Sequence, residues 1–337
     1  MLARRVSSLY PTIIKRSPRS WGAIYHASNT PASFAAVRGV LRTQIRAVLA
    51  AQIAAADPDV VLSVHPLLNH VTAGLLRRDR HPRGLMTVVT DLVDLHRGWI
   101  CRDADAVIVP TVEAELVALQ RGVSPRRLRL LGMPVDLRFR SPAAGEREAV
   151  RRRLAMAEDR PTVLVAGGGE GSGGLLGQVR TLAEQPHPWQ LIVVCGRNEA
   201  LRRRLLAQRF PTPTLALGFV DDMPDLMRAS DLVVGKAGPG AIAEALATGL
   251  PLVLTSYLPG QEHGNVRYVV ESRVGRYAPR PARLLRAVTE LLTGSRQPYR
   301  AMAMRAAALA RPRAAMDAAT LCLELCADYR AAAQASR

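Results

Sequence analysis

The chain has 337 residues, 48% of them hydrophobic and 22% charged, a globular composition long enough for two domains instead of one core. Its net charge of +18 rests almost wholly on arginine, Lys15 and Lys236 being the only lysines, and a 4% aromatic content without zinc-finger spacing or an aromatic RNP-like strand weighs against nucleic acid as a partner. No run approaches the ~18 apolar residues of a membrane span. Cys101, Cys195, Cys322 and Cys326 form no CxxC and have no neighbouring histidine, so they read as reduced packing thiols.

In chain order, residues 1–11 (MLARRVSSLYP) are basic but lack the apolar run of an export signal, so a cytoplasmic protein is expected. Arg4, Arg5, Tyr10, Ile13, Ile14, Lys15, Arg16, Arg19, Trp21 and Tyr25 mix cations with amphipathic aromatics. That mixture suits an anionic membrane surface, and equally an ordinary solvated helix face. An Ala-rich helix over 46–56 leads into short apolar runs, DVVLSV (59–64), LMTVVT (85–90), AVIVP (106–110) and LRLLG (128–132), which predict buried strands. Helical segments lie between them, such as 112–121 with Val112, Leu116 and Leu119 as its apolar face. The stretch 134–160, with an Arg-rich helix and no strand signal, reads as a connector. A second series follows: TVLVA (162–166), WQLIVVCG (189–196), PTLALGF (213–219), DLVVG (231–235) and PLVLT (251–255), then a helical tail from Pro281.

Alternation of this kind specifies α/β architecture: two doubly wound Rossmann-like lobes with an interdomain cleft. The boundaries predicted are residues 1–140 for the first lobe, 141–160 for the linker and 161–337 for the second lobe with its tail. In open parallel sheets ligands collect at the carboxyl ends of the strands, so the chemistry belongs to the loops that follow them.

The first such loop is AGGGEGSGG (166–174), in which Gly168, Gly169 and Gly171 let the backbone approach an anion at a helix N-terminus; it is not a P-loop, because no Gly-Lys-Ser/Thr follows. The second is KAGPG, where Lys236 and Gly238 precede Pro239 and Gly240 at a helix start. Together they read as a diphosphate site. Glu244, one turn further on, is placed to accept hydrogen bonds from a ribose diol. In the loop YLPGQEHGN (257–265), Gln261, Glu262 and Asn265 supply the amides and carboxylate that bracket sugar hydroxyls, so the lobe reads as a nucleotide-sugar site.

TVVTDLVDLHRGW (87–99), GMPVDLRF (132–139), the glycine loop, LGFVDDMPDLMRASDLVVGKAGPGAIAEAL (217–246) and LPGQEHGNVRYVV (258–270) together resemble monogalactosyldiacylglycerol synthases and bacterial diacylglycerol glucosyltransferases, relatives of the peptidoglycan UDP-N-acetylglucosamine transferase. The resemblance runs from about Tyr10 to Pro279. It implies a GT-B fold, a UDP-hexose donor in the C-terminal lobe, a lipid acceptor near the N-terminal lobe, inversion at the anomeric carbon, and no metal or cofactor. It further implies that Gly238, Pro239 and Gly240 face the diphosphate, Glu244 the ribose, Gln261 and Glu262 the sugar, and Phe219 and Val220 the uracil.

One departure stands out. The family's N-terminal strand and Gly-Gly-Gly-His-type loop, whose histidine is given the role of base, have no counterpart in this sequence, so the N-terminal lobe is expected to lack its first βα units. Either the start lies upstream or the family's base is absent. Candidate substitutes are His65 and His96, each after a strand of the first lobe, with Asp91 orienting a histidine or taking the proton itself. Asp103-Ala-Asp105 has the spelling of a metal-binding DxD but precedes a strand, and reads as helix capping.

The leading expectation is an inverting glycosyltransferase that moves a hexose from a UDP-sugar to a lipid such as diacylglycerol, peripherally on the cytoplasmic face of the membrane. Two alternatives stay open: a nucleotide-sugar-binding protein without a base, and a UDP-sugar 2-epimerase-like enzyme on the same fold.

Overall fold

The computed structural model describes residues 17–79, 81–168 and 174–335. The chain divides into two compact units, the first within Met1–Pro134, Leu258–Gly264 and Arg313–Arg337, the second Val135–Tyr257 and Asn265–Pro312.

The first unit is built on a parallel sheet of β1 (Val60–Ser63), β2 (Gly84–Val88), β3 (Ala106–Val109) and β4 (Leu128–Leu130), in that spatial order. Successive residues of a strand face opposite sides, and a parallel sheet needs both covered. Leu85, Val107 and Val109 pack with Ile53, Ala73, Leu76, Ala114 and Ala118, from the helices Pro31–Ala56, Asn69–Leu76 and Val112–Gln120. Met86, Val88, Ala106 and Ile108 face the other way, onto Ala318, Leu321 and Leu325 of the helix Ala314–Ala335.

The last helix of the tail, Ala314–Ala335, therefore belongs to the first unit, while the stretch from Pro281 to Pro312 stays with the second lobe as its place in the sequence suggested. Arg330 pairs with Asp59 at 2.7 Å, and Tyr329 lies so close to Gly84 that a Cβ there would sit 2.7 Å from the ring. The segment Leu258–Gly264 also joins the first unit. Gly264 N–H donates to Asp94 Oδ2 at 2.7 Å, and Pro259 presses on Gly22 of the helix Pro18–Ser28.

Three further readings change. Helix Val112–Gln120 buries its alanines, 114 and 118, while Val112 and Leu116 are 54% and 52% exposed; small side chains let this helix approach its neighbours closely. Tyr25 is buried, its hydroxyl donating to the Asp94 carbonyl at 2.8 Å, so it does not serve a membrane-facing surface; Arg4 to Arg16 lie outside the described residues. The aspartates of the Asp-Ala-Asp triplet cap no helix: Asp105 Oδ2 accepts from Leu85 N–H at 2.8 Å, and Asp103 pairs with Arg77.

The second unit carries β5 (Thr162–Ala166), β6 (Gln190–Val194), β7 (Thr214–Leu217), β8 (Leu232–Lys236), β9 (Leu252–Ser256) and β10 (Gly275–Tyr277) in the parallel order β10-β9-β8-β5-β6-β7. Read from β7, this is the 3-2-1-4-5-6 order of a doubly wound nucleotide-binding sheet, whose direction reverses between β5 and β8. β10 carries no sequence signal. Gly-Arg-Tyr makes no apolar run.

The expected linker is also part of this unit. In the helix Glu146–Arg153, Arg151 is buried and donates to Asp231 Oδ2 at 2.7 Å, while Arg147 reaches Asp231 Oδ1 at 2.7 Å. Asp231 also accepts from Thr162 N–H at 2.8 Å and pairs with Arg296 at 3.3 Å. One carboxylate thus pins three arginines and the first residue of β5. Asp231→Ala, which leaves Arg151 buried without its counter-charge, is expected to lower the unfolding free energy by about 3 kcal/mol in urea titrations.

Candidate functional site

β5 and β8 flank the switch point, and the two glycine loops follow these two strands. Gly168 has φ +69°, in the left-handed region open to glycine. Gly169 and Gly171 fall outside the described residues. At the end of β8 the ladder shifts register between Gly235 and Lys236. A Cβ on Gly235 would lie 2.8 Å from the Ala166 carbonyl oxygen, so the two strand ends approach where no side chain fits. Gly238 then caps the helix Pro239–Thr248, with proline at a position where its missing N–H costs nothing. The first ladder bond of that helix is Ile242 N–H to Gly238 O, and among the described residues nothing claims the N–H groups of Gly240 and Ala241 at the positive end of the helix dipole.

Gly168 and the Lys236 loop border a cavity of about 430 Å³. Gly168, Lys236 and Gly238 line it with the groups an anion needs, and Phe219, Val220 and Met223 with apolar surface. Glu244 lines it as well, and burial pushes its carboxyl above the ordinary glutamate value. Among the described residues its carboxylate has no hydrogen-bond partner; only its backbone carbonyl is engaged, by Thr248 Oγ1 at 2.8 Å. Phe219 is 56% exposed, with the Arg197 guanidinium 4.9 Å from its ring centroid. Sequence reasoning did not pick out Arg197, although Gly196-Arg197, one residue beyond the end of β6, is a glycine followed by a cation.

The expected sugar loop divides. Gln261 and Glu262 belong to the first unit and Asn265 to the second, and none of them lines this cavity. Gln261 Nε2 donates to Asp91 Oδ1 at 3.0 Å. Glu262 is only 3% exposed, its Oε2 accepting from Leu258 N–H at 2.7 Å, and Asn265, 2% exposed, donates from Nδ2 to the Ala237 carbonyl at 2.9 Å. In this structure the last two hold loops in shape. Pro239 and Gly240 stand at the head of the lining helix without lining the cavity themselves.

The candidate bases also take structural work. His96 is buried between Tyr25 and Phe34, and burial beside Arg121 lowers its pKa to about 4, so it is neutral at pH 7. Its Nδ1 accepts from Gly98 N–H at 3.1 Å; the ring proton therefore sits on Nε2, which meets Ser28 Oγ at 3.2 Å. Both nitrogens are spent on holding the 96–100 turn. Asp91 is buried too, with Oδ2 accepting from Trp99 Nε1 at 2.7 Å and Oδ1 from Gln261; desolvation raises its pKa. His65 alone of the three is exposed, after β1, its Nδ1 accepting from Leu67 N–H at 3.3 Å and its pKa lowered by desolvation.

The family described as monogalactosyldiacylglycerol (MGDG) synthase matches residues 1–135, and the glycosyltransferase family 28 C-terminal domain matches residues 162–317. Monogalactosyldiacylglycerol synthase 1 of Arabidopsis thaliana is 35% identical over 271 residues, covering 77% of this chain and 50% of that protein. The spinach (Spinacia oleracea) synthase is 35% identical over 269 residues, covering 76% and 51%. The chain thus spans about half the length of these curated relatives. Among solved structures, Acinetobacter baumannii MurG superposes with TM-score 0.59 at 17% identity, covering 81% of this chain and 75% of that one. Anabaena Alr3699/HepE, in complex with UDP and glucose, gives 0.56 at 18% identity, covering 84% and 82%. These structural likenesses speak to the fold, GT-B, alone.

Glu244 makes the stability of the fold depend on pH. Its folded carboxyl keeps a proton to higher pH than the unfolded one, so unfolding gains ground as pH rises from the ordinary glutamate value up to the raised one. Glu244→Gln is expected to remove that part of the decline: in urea titrations at pH 5 and pH 8 the variant loses less stability between the two than the parent chain.

Proposed function

We propose, from the premise that this chain belongs to the monogalactosyldiacylglycerol synthase family of GT-B proteins, that it transfers a hexose from a UDP-sugar to the hydroxyl of a lipid such as diacylglycerol. The single observation that carries this reading is the convergence of Gly168, Lys236, Gly238 and Glu244 on one cavity at the switch point of the second sheet. Helix-terminal N–H groups and the lysine suit a diphosphate, and Glu244 suits the ribose diol. Phe219 and Val220 offer apolar surface for a flat base.

In the transfer the acceptor oxygen attacks the anomeric carbon from the side opposite UDP. The bond from that carbon to the β-phosphate oxygen breaks, its electrons leave with UDP, and the acceptor proton passes to a base. Lys236 and the amino end of the helix Pro239–Thr248 stabilise the charge that develops on UDP, without a metal in this scheme. His65 is our candidate for the base, because His96 and Asp91 are engaged elsewhere. Gln261 and Glu262 keep their assignment to the sugar only through the family resemblance.

An anionic membrane surface, on the cytoplasmic face, is the proposed place of reaction. Support comes from the helix Pro31–Ala56, which has no acidic residue and exposes Arg38, Arg42 and Arg46 at four-residue intervals beside Val40 and Val48. No helix among the described residues is long and apolar enough to cross a membrane. A second reading, a UDP-sugar-binding protein without turnover, is favoured by the structural employment of His96 and Asp91.

Calorimetric titration with UDP and UDP-hexoses, followed by product analysis with diacylglycerol in lipid vesicles, separates these readings. The transferase reading expects UDP binding, a new glycolipid, and at least tenfold weaker UDP-sugar affinity in Glu244→Ala with folding intact. UDP binding without product selects the binding protein, and absence of UDP binding overturns both. In vesicle sedimentation, the triple replacement of Arg38, Arg42 and Arg46 by Gln is expected to reduce binding to anionic vesicles severalfold and leave UDP binding unchanged.

A further inference from the structure

Behind the lining lies a short relay. Gln178, on the first turn of the helix Leu175–Ala183 that follows the glycine loop, donates from Nε2 to Thr255 Oγ1 at 2.9 Å. Thr255 in turn donates to the Gly235 carbonyl at 3.1 Å. Both side chains are buried, and neither residue lines the cavity.

The relay sits where the ladder breaks. Gly235 pairs with Leu254 and Lys236 with Ser256, so Thr255 is the inserted residue of a bulge between β8 and β9. An inserted residue falls outside the regular ladder and its strand bends there. Here the side chain of that residue ties the strand back, gripping the last carbonyl before Lys236 on one side and the helix behind the glycine loop on the other. The Thr255 hydroxyl accepts one bond and donates the other, so its loss breaks the relay at both ends.

We propose that Gln178 and Thr255 are positioning residues: the relay from Gln178 through Thr255 to Gly235 holds the amino end of the helix Leu175–Ala183 and the Lys236 loop at the separation that lets both grip one nucleoside diphosphate. The proposal rests on the nucleotide-sugar reading of the cavity for its ligand, and on nothing concerning acceptor or turnover. Preorganised anion contacts lose strength when their supports shift by less than an ångström.

The test titrates UDP into the full chain by calorimetry, with melting curves alongside. Thr255→Val keeps the shape and removes the hydroxyl; Thr255→Ser keeps the hydroxyl. Thr255→Val and Gln178→Leu are each expected to weaken UDP binding about tenfold, the double variant no more than either alone, and Thr255→Ser to bind within about twofold of the parent. A Thr255→Val chain that binds UDP like the parent overturns the relay. So does a Thr255→Ser chain as weak as Thr255→Val, since a retained hydroxyl would then not be enough to keep the affinity. If Thr255→Val fails to fold, Gln178→Leu with unchanged affinity is the overturning result and weakened affinity the supporting one. A parent chain that binds no UDP removes the ligand and the nucleotide reading together, an outcome distinct from indifferent variants of a binding parent.

Discussion

Two strand ends come together at Ala166 and Gly235 more closely than any side chain permits, and the candidate site depends on that approach. β5 and β8 are paired neighbours, yet the sheet reverses direction between them, so their helices leave on different faces and the space beyond the strand ends stays open. A Cβ on Gly235 would stand 2.8 Å from the Ala166 carbonyl oxygen, and only glycine is compatible with that distance. The backbone freedom glycine brings is an entropic cost on folding. Ordered contacts around the loop offset it: Thr255 on the Gly235 carbonyl and Asn265 on the Ala237 carbonyl. The polar groups meant for a ligand thus sit on backbone that is fixed from behind.

Most of the sheets could be read from the sequence, and the reason is physical. Short apolar runs mark strands of a parallel sheet, and the nine runs read in the sequence appear as β1 to β9. β10 escaped because Gly275, Arg276 and Tyr277 form no apolar run. The helix Glu146–Arg153 was taken for a connector because Arg151 and Arg147 look solvated in a sequence, and nothing local announces Asp231 eighty residues later. The site was legible to the same extent. Gly168, Lys236, Gly238, Glu244, Phe219 and Val220 share a cavity because they follow strands, and strand ends are visible. His96 and Asp91 could not be told from catalytic groups, since their partners, Gly98, Ser28, Trp99 and Gln261, are chosen by the tertiary fold.

The arginine surplus also acquires structure. A net charge of +18 suggests a chain that advertises cations to a partner. Part of it is turned inward: Arg83 and Arg151 have side chains only 8% and 4% exposed, and each divides its donors between carboxylates and backbone carbonyls. A planar guanidinium with five donors can bridge such groups where an ammonium cannot. Charge available to a surface is therefore smaller than the composition suggests, and Arg38, Arg42 and Arg46 are conspicuous for facing outward along one helix without an acid among them.

The return of the chain to its first sheet has a consequence for biosynthesis. Met86, Val88, Ala106 and Ile108 are covered by residues around Ala318, Leu321 and Leu325. A ribosome delivers those strands more than two hundred residues before their cover, so throughout translation of the intervening unit one face of a nascent sheet stays wet and apolar. Such a surface attracts other nascent chains and chaperones alike, and it closes only when the final helix emerges. For the same reason, cutting the chain at residue 160 does not yield two independent domains: the first piece lacks one wall of its core, and the second carries a helix with nothing to cover.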